Sequence, residues 1–308
     1  MTDTIKLRLG TRSSPLAMVQ AEETRARLCA AHGWNQMQVE LVPVLASGDK
    51  VQDRPLAEIG GKALWTKELD QWLAEGRIDA SVHSMKDVET IRPASLAITA
   101  ILPRADIRDV LIGAQSVADL PHGARVGTSA PRRAAQMLHR RPDCRIVSFR
   151  GNVATRLGKL EAGEADATLL AAAGLERLGQ QIGAALDPQD WLPAPAQGAI
   201  GIECRSDDDT TRALVAALDH APSAAQVMAE RALLAALGGN CHSPIAVLCS
   251  GVGQLAMRAA IFSPDGRHRV EASARFAAGD DSGPESLARE LLAKAPPEIT
   301  QHFAGVPG

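Results

Sequence analysis

Arginines recur where the chain passes from strand-like into helix-like segments: Arg12, Arg132, Arg133, Arg150, Arg156 and Arg177. In α/β sheets the carboxyl ends of strands, with helix N-termini beside them, are where ligands bind. Guanidinium groups gathered there suit a ligand with several carboxylates or phosphates, each gripped by two N–H groups. A set of solvated helix-start arginines is the plain alternative. Against it, a cation at a helix N-terminus opposes the macrodipole, so helix stability does not place it there.

His83-Ser84-Met85-Lys86-Asp87 closes another strand-like run, Ile78 to His83. A carboxylate at Asp87, beside Lys86, can shuttle protons or stabilise a cation forming on a ligand. An aspartate that only caps the next turn fits the same five residues equally well. Gly60-Gly61-Lys62-Ala63-Leu64-Trp65 follows a polar stretch, Ser47 to Glu58, and reads as a loop closing onto a helix. Lys62 and Trp65 can then touch a ligand; an ordinary surface loop is the alternative.

Five cysteines, Cys29, Cys144, Cys204, Cys241 and Cys249, include no C-x-x-C pair. An odd count at irregular spacing fits neither a disulfide framework nor a zinc site, so no metal is expected. Cys241 lies in Gly238-Gly239-Asn240-Cys241-His242-Ser243-Pro244, just beyond a helix C-terminus whose negative end disfavours a thiolate. On that ground a bystander cysteine is favoured. A Cys-His nucleophile is weaker still, because adjacent residues seldom orient each other. A loop thiol flanked by glycines can nonetheless serve as a covalent anchor.

The elements that must position these residues alternate. Lys6 to Gly10, Val39 to Leu45 and Ile78 to His83 read as strands. Between them fall helices over Pro15 to Cys29, capped by Ser14, and over Thr66 to Glu75. The pattern restarts with strands Ala124 to Thr128, Arg145 to Phe149 and Asp166 to Ala172, and helices Pro131 to Arg140 and Val153 to Glu161. Such alternation implies α/β domains with largely parallel sheets. Gly10-Thr11-Arg12-Ser13-Ser14-Pro15 and Gly127-Thr128-Ser129-Ala130-Pro131 each follow a strand and open a helix. This echo predicts two lobes of related design with Arg12 and the Arg132/Arg133 pair facing a cleft; coincidence of two common helix starts is the alternative.

Asp187 to Ala196 carries Pro188, Pro193 and Pro195 and reads as a stiff connector, followed by a strand, Ala199 to Cys204, returning to the first lobe. Ser223 to Leu237 is a helix with a Ser223/Gln226 capping box, stopped by Gly238-Gly239. Gln254 to Phe262 and His268 to Phe276 alternate about a Ser263-Pro264-Asp265-Gly266 turn, the mark of an antiparallel hairpin. A last helix, capped by Ser282 and Glu285, ends near Lys294, completing a small α+β domain.

A chain of 308 residues that is 45% hydrophobic and 22% charged has material for about two domains. Its net charge of -3 argues against a general nucleic-acid or membrane-surface binder. With no Tyr, four Trp and four Phe, there is little to build a base-stacking surface from. Met1 to Gly10 lacks the apolar core of a signal peptide, and the longest apolar run, Ala167 to Leu175, is too short to span a bilayer. A cytoplasmic protein is expected.

Eight strings then stand in one order: G-T-R-S-S-P-L-A, I-G-G-K-A-L-W-T-K-E-L, H-S-M-K-D-V, G-T-S-A-P-R-R, F-R-G-N-V-A-T-R-L-x-K-L, L-A-A-A-G-L-E-R-L-G, A-Q-G-A-I-G-I-E-C-R and G-G-N-C-H-S-P-I. In order and spacing they resemble the porphobilinogen deaminase (hydroxymethylbilane synthase) family, from about Lys6 to Ile245. The resemblance implies an α/β fold: two periplasmic-binding-protein-like lobes around a cleft plus a small α+β C-terminal domain. Domain 1 would comprise residues 1–102 and 196–218, domain 2 residues 103–195, and domain 3 residues 219–308. It implies a transferase that joins four porphobilinogens head to tail with release of ammonia, on a dipyrromethane cofactor held by a thioether to Cys241.

By the same resemblance Asp87 is the catalytic residue. The cofactor- and substrate-binding set falls on Arg12, Ser14, Lys62, Trp65, Lys86, Thr128, Ser129, Arg132, Arg133, Arg150, Asn152, Arg156, Arg177 and Gln197. A monomer acting on porphobilinogen, without nucleic-acid or membrane partners, is implied. The chain departs from the family pattern at several points. Ala130-Pro131 stands where Ser-Leu is usual, Trp65 where Phe is common, and Glu58 where a basic residue is common. Glu89 and Ile107 replace prolines, and Asn240 a glycine. None removes a charged catalytic group. Two other readings remain beside this one: a non-catalytic two-lobed anion receptor, which leaves Cys241 unexplained, and a cysteine hydrolase using Cys241 and His242, which lacks a third orienting group.

Overall fold

The computed structural model describes residues 4–45, 66–240 and 242–303. By internal packing the chain divides into two units, Met1–Ala105 with Ala199–Ala224, and Asp106–Gly198 with Ala225–Gly308. In chain order the first elements are β1 (Leu7–Arg12), α1 (Pro15–His32), β2 (Val39–Val44), α2 (Lys67–Ala74), β3 (Ala80–Ser84) and β4 (Leu96–Ile101). Next come β5 (Asp109–Ile112), β6 (Arg125–Gly127), α3 (Pro131–Arg140), β7 (Arg145–Val147), α4 (Val153–Glu161), β8 (Ala167–Ala171), α5 (Ala172–Arg177) and β9 (Ala184–Ala185). The last are β10 (Ile200–Arg205), α6 (Asp209–Ala216), α7 (Ala221–Ala236), β11 (Ile245–Ser250), β12 (Gln254–Phe262), β13 (Arg269–Ala277), α8 (Ser282–Lys294) and α9 (Pro297–Thr300).

The first unit is built on a sheet in the order β2-β1-β3-β10-β4. Leu7, Leu9, Val82, Ile200 and Ile202 form its core with Leu28 of α1. Helix α1 starts where its sequence says it should: Ser14 accepts from the Ala17 N–H, and Pro15 holds the first helical position, where a missing N–H costs nothing. Gly33 ends it at a φ of 65°, a left-handed cap that glycine adopts without strain.

The second unit has a sheet in the order β7-β6-β8-β5-β9 and a separate antiparallel sheet, β11-β12-β13. The antiparallel sheet buries Val247, Leu255, Met257 and Ile261 against Leu233 and Leu237 of the α7 stretch and Leu287 and Leu291 of α8. The two five-stranded sheets repeat one plan. In each, a central strand runs parallel to both its neighbours (β1 with β2 and β3, β6 with β7 and β8), and the fourth strand (β10 or β5) runs antiparallel on both sides. The echo between the two strand-turn-helix strings is therefore topological.

Several expectations need correction. The sheets are mixed rather than largely parallel, because β10 and β5 are inserted antiparallel. Strands β4, β5, β9 and β11 are absent from the sequence reading; Leu96–Ile101 and Asp109–Ile112 are short apolar runs whose periodicity distinguishes neither strand nor helix. Ser223 does not cap a helix start. Helix α7 begins two residues earlier, and the Ser223 hydroxyl accepts from the Arg104 N–H at 2.9 Å and meets His220 Nδ1 at 2.8 Å. At α8 the cap residue Asp281 makes no side-chain bond, and Asp280 Oδ1 takes the Ser282 N–H and hydroxyl instead. The proline-rich connector is exposed at Asp187, Gln189 and Asp190 but packs into the unit from Trp191 on, with Trp191 and Leu192 among the core side chains.

Gly201 on β10 pairs with His83 on β3, and a Cβ there would collide with Met85 Sδ. Glycine thus lets Met85 pack on the sheet and seat the turn that follows. Gly201→Val is expected to cost about 1–3 kcal/mol by overpacking. Gly158, exposed within α4 with open space around its Cα, should gain about 0.5–1 kcal/mol as Ala. Urea unfolding of both variants checks the pair, and equal stabilities would contradict this packing.

Candidate active site

In the first unit, Arg12, Gln20, Thr66, His83, Ser84 and Asp87 line one pocket. Arg12 ends β1, and Ser14 caps α1 behind it. Strand β3 carries His83 and Ser84 to the rim, and a single 3₁₀ turn, Met85–Asp87, follows. Met85 is buried and anchors the turn, while Lys86 and Asp87 stay half-exposed. No side chain caps this turn, and among the described residues the Asp87 carboxylate makes no hydrogen bond or ion pair. The turn-capping reading of Asp87 therefore fails. A carboxylate held in a turn directly after a strand, without a partner among the described residues, is available to a ligand.

In the second unit the expected arginines divide into two groups. Arg132 and Arg133 are buried, at 4% exposure each, and both face the fully buried Asp109. Arg132 Nη2 donates to Asp109 Oδ2 at 2.8 Å and its Nη1 to the Leu192 carbonyl at 2.9 Å. Arg133 Nη2 donates to Asp109 Oδ1 at 2.7 Å and its Nη1 to the Leu169 carbonyl at 2.8 Å. Trp191 Nε1 adds a bond to Oδ2 at 2.8 Å, and Gln197 Nε2 one to Oδ1 at 3.0 Å. Burial alone would raise the Asp109 carboxyl, but the two guanidiniums and these donors hold it far below the usual carboxylate range. Burial and the neighbouring Arg133 cation push Arg132 down, from so high a value that it stays charged.

The dipole argument that excluded a stability role therefore does not hold for Arg132 and Arg133. A carboxylate of the chain itself, on another strand, outweighs the unfavourable helix end. Gln197 belongs to the same cluster, at 1% exposure.

The other group is different. Arg150 is buried to 9% exposure, and its Nη1 has no hydrogen-bond partner among the described residues. It follows Phe149, whose carbonyl accepts the Ser129 hydroxyl at 2.6 Å. Asn152 Oδ1 caps α4 through the Thr155 N–H at 2.9 Å, and Arg156 Nε returns to the Gly151 carbonyl at 2.9 Å. Thr128 Oγ1 accepts from the Ala130 N–H at 3.2 Å. Ala130 occupies the cap position of α3 with no side-chain bond, the consequence of the hydroxyl missing there. Arg177, at the end of α5, reaches the Gly198 carbonyl at 3.5 Å. A buried cation without a counter-charge is costly, so Arg150 marks a place suited to an anion.

Lys62, Trp65 and Cys241 lie outside the described residues. Next to Cys241, the Asn240 N–H donates to Ser243 Oγ at 3.0 Å and Asn240 Oδ1 accepts from the His242 N–H at 2.8 Å. Burial pushes the His242 imidazole down. The other four cysteines are free, with Cys144, Cys204 and Cys249 buried and Cys29 partly so. Sequence reasoning missed Gln20, Thr66, Asp109 and Trp191, and saw His83 only as part of a string. Asp109 stands two residues after Ile107, in a stretch noted only for its missing proline.

The fold is that of an α/β protein of two units, with the Asp87 carboxylate lining a pocket in one and the buried Arg150 guanidinium in the other. A family model described as porphobilinogen deaminase, dipyromethane cofactor binding domain, matches residues 7–213, and one for the porphobilinogen deaminase C-terminal domain matches residues 224–295. Porphobilinogen deaminase of Sphingopyxis alaskensis is 56% identical over 306 residues, covering 97% of this chain and 96% of that one. That of Paracoccus denitrificans is 49% identical over 299 residues, covering 95% and 96%. A periplasmic substrate-binding protein of an ABC transporter from Coxiella burnetii aligns at a TM-score of 0.42 with 16% identity, over 73% of this chain and 94% of that one. The chain belongs to the porphobilinogen deaminase family. It is a transferase of tetrapyrrole biosynthesis with a dipyrromethane cofactor, and the receptor reading drops away.

Asp109→Asn leaves two buried guanidiniums without their counter-charge and is expected to cost about 3–5 kcal/mol of unfolding free energy. The native carboxyl lies below its unfolded value, so its contribution is complete above about pH 4 and erodes as pH falls further. The deficit of the variant, read from urea titrations, should therefore shrink between pH 5 and pH 2. A deficit that stays constant or grows on acidification contradicts this account.

Proposed function

We propose that the family reaction, joining four porphobilinogens into hydroxymethylbilane with release of ammonia, proceeds in this chain at Asp87. The observation that carries the assignment is its carboxylate, without a partner among the described residues, in a pocket shared with Arg12 and His83. Dipyrromethane, when bound through Cys241, supplies a pyrrole with a free α-carbon as the primer for chain growth. Asp87 accepts a pyrrole N–H and faces the positive charge that develops on an incoming ring as its C–N bond breaks and ammonia leaves. The cofactor would supply that α-carbon as the nucleophile, its proton being lost as the C–C bond replaces the broken C–N bond, while Asp87 holds the N–H of the reacting ring.

Arg12, Ser14 and Lys86 are assigned to ligand carboxylates on the first unit, and Ser129, Arg150, Arg156 and Arg177 on the second. The Nη1 of Arg150, without a partner among the described residues, supports this, since acetate and propionate side chains can supply its counter-charge. Thr128 and Asn152 hold the backbone of that cluster. Arg132, Arg133 and Gln197 act mainly by holding its shape around Asp109, with Arg132 Nε the one buried donor of that trio left without a partner. Lys62 and Trp65 are assigned to the ligand by family resemblance. We read the protein as a cytoplasmic monomer with no nucleic-acid or membrane partner. The net charge of -3 supports this, and among the described residues no helix is long and apolar enough to cross a membrane.

Asp87→Asn should keep the fold and lower turnover by roughly 100-fold or more, the scale of a positioned acid–base group. Steady-state assay of the loaded variant decides it, and a rate above about a third of wild type defeats the assignment.

Cys241 is proposed as the covalent anchor. Attachment happens once per enzyme molecule, so a thiol that is a poor thiolate suffices, and Cys144, Cys204 and Cys249 are occupied in packing. Denatured intact mass of Cys241→Ser should equal the bare sequence, with activity nearly lost, while Cys29→Ser retains adduct and activity. Peptide mapping that finds the adduct on another residue overturns this.

A further inference from the structure

Behind the Asp87 pocket, the first unit buries a cluster of ionisable side chains for which the reaction as described has no use. Strand β10 enters between β3 and β4, setting Glu203 opposite Ser81 and Gly201 opposite His83. Directly opposed residues of an antiparallel pair share a face, as do residues two apart on one strand. Ser81, His83 and Glu203 therefore converge.

Glu203 is fully buried and is gripped by both edges of Arg92, Nε to Oε1 at 2.9 Å and Nη2 to Oε2 at 2.8 Å. Arg92 is fixed in turn by Asp70 at 2.5 Å and Glu89 at 2.6 Å, and Glu89 accepts the Thr66 hydroxyl at 2.7 Å. Burial works to raise the Glu203 carboxyl, but His83 and Arg92 hold it at about 2. At neutral pH it is a carboxylate, and a carboxylate only accepts hydrogen bonds.

His83 Nε2 lies 3.3 Å from Glu203 Oε2 and 2.7 Å from Ser81 Oγ. The nitrogen that faces an ionised carboxylate carries the hydrogen. In a neutral imidazole the other nitrogen, Nδ1, is then a lone pair. His83 is 6% exposed and lines the same pocket as Asp87, yet its Nδ1 makes no hydrogen bond among the described residues. An acceptor with no partner among the described residues, on a ring that lines the pocket of Asp87, points to a donor on the ligand.

We propose that His83 Nδ1 is a second acceptor for a pyrrole N–H in the Asp87 pocket, and that Glu203, clamped by Arg92, is the positioning residue that fixes the His83 tautomer. This rests on the reading of that pocket as the place where pyrrole rings react. Two acceptors on adjacent positions hold two N–H groups, or one N–H shared as a ring moves through. The ion cluster then has a reason beyond packing. Arg92 keeps Glu203 charged, and the charge keeps the hydrogen on Nε2.

The test combines spectra with kinetics on the cofactor-loaded enzyme, loading being checked by intact mass. Nitrogen NMR of protein labelled in histidine, with the His83 signals assigned by their loss in His83→Gln, should show a protonated Nε2 and a lone-pair Nδ1 at neutral pH. A hydrogen on Nδ1 overturns the proposal. In Glu203→Gln the amide can donate to Nε2, so the spectrum should shift toward the opposite tautomer. Its kcat should then fall about tenfold or more with KM little changed, as when a histidine loses its orienting carboxylate. His83→Gln, which keeps a polar group near Nε2 and none at Nδ1, should show a similar loss. Should Glu203→Gln fail to fold, the wild-type spectrum and His83→Gln still decide.

A Glu203 that is merely structural would lower the melting temperature while tautomer and kcat of the folded enzyme stay as in wild type, and that result refutes the role. If Asp87→Asn abolishes turnover while His83→Gln does not, the His83 proposal alone fails. If Asp87→Asn stays active, the pocket reading fails with it.

Discussion

Asp109 holds a full negative charge where no water reaches it, and the second unit is arranged around that fact. Its two oxygens take donors from Arg132, Arg133, Trp191 and Gln197, which come from α3, the proline-containing connector and the stretch before β10. Removing water from an ion costs several kcal/mol, and the cost is offset only where charge and hydrogen bonds are both complete. The connector is therefore pinned rather than stiff on its own account. Ala196 within it sits at a φ of 59°, unusual for a residue other than glycine, and its N–H reaches Glu230 Oε2 at 2.6 Å. That bond, from the helix α7, holds the strained backbone that turns the chain toward β10.

The first unit repeats the device. Its buried carboxylate, Glu203, lies on β10, the antiparallel fourth strand, as Asp109 lies on β5, the antiparallel fourth strand of the other sheet. In both, arginine from outside the strand supplies the counter-charge: Arg92 in one, Arg132 and Arg133 in the other. In each unit the strand that runs against its neighbours carries a buried charge. An apolar replacement of similar volume would often be as stable, so stability alone does not account for ions at both positions.

What the sequence made legible follows from range. Local signals were read well: Ser14 and Pro15 start α1, and Pro131–Arg140 and Val153–Glu161 form helices with the expected ends. The strings around Asp87 and Arg150 are local as well: Asp87 falls in the turn after β3 and Arg150 just before the Asn152 cap of α4, places that local patterns mark. Long-range facts were not legible. That Arg132 and Arg133 face a carboxylate 23 and 24 residues earlier depends on where β5 lies in its sheet, and nothing in either segment states it. The antiparallel insertion of β10 and β5 is hidden for the same reason. Cys241 is a different case. A helix C-terminus argues against a reactive thiol, and only resemblance over the whole motif singled it out.

Site chemistry and buried ions are connected by the question of which charges stay available. An arginine cluster that binds an anionic ligand must not be neutralised by the protein itself, and one that shapes the fold must be. Asp109 takes Arg132 and Arg133, and among the described residues Arg150 keeps an unbonded Nη1. Glu203 makes the corresponding separation among the acceptors of the first unit. Its charge is matched by Arg92, and the Asp87 carboxylate makes no ion pair among the described residues. A carboxylate already paired with arginine is stabilised in its charged form and is a poor acceptor for a proton or a passing N–H. The first unit accordingly keeps its two anions as separate groups, Glu203 buried and matched by Arg92 and Asp87 open to the pocket.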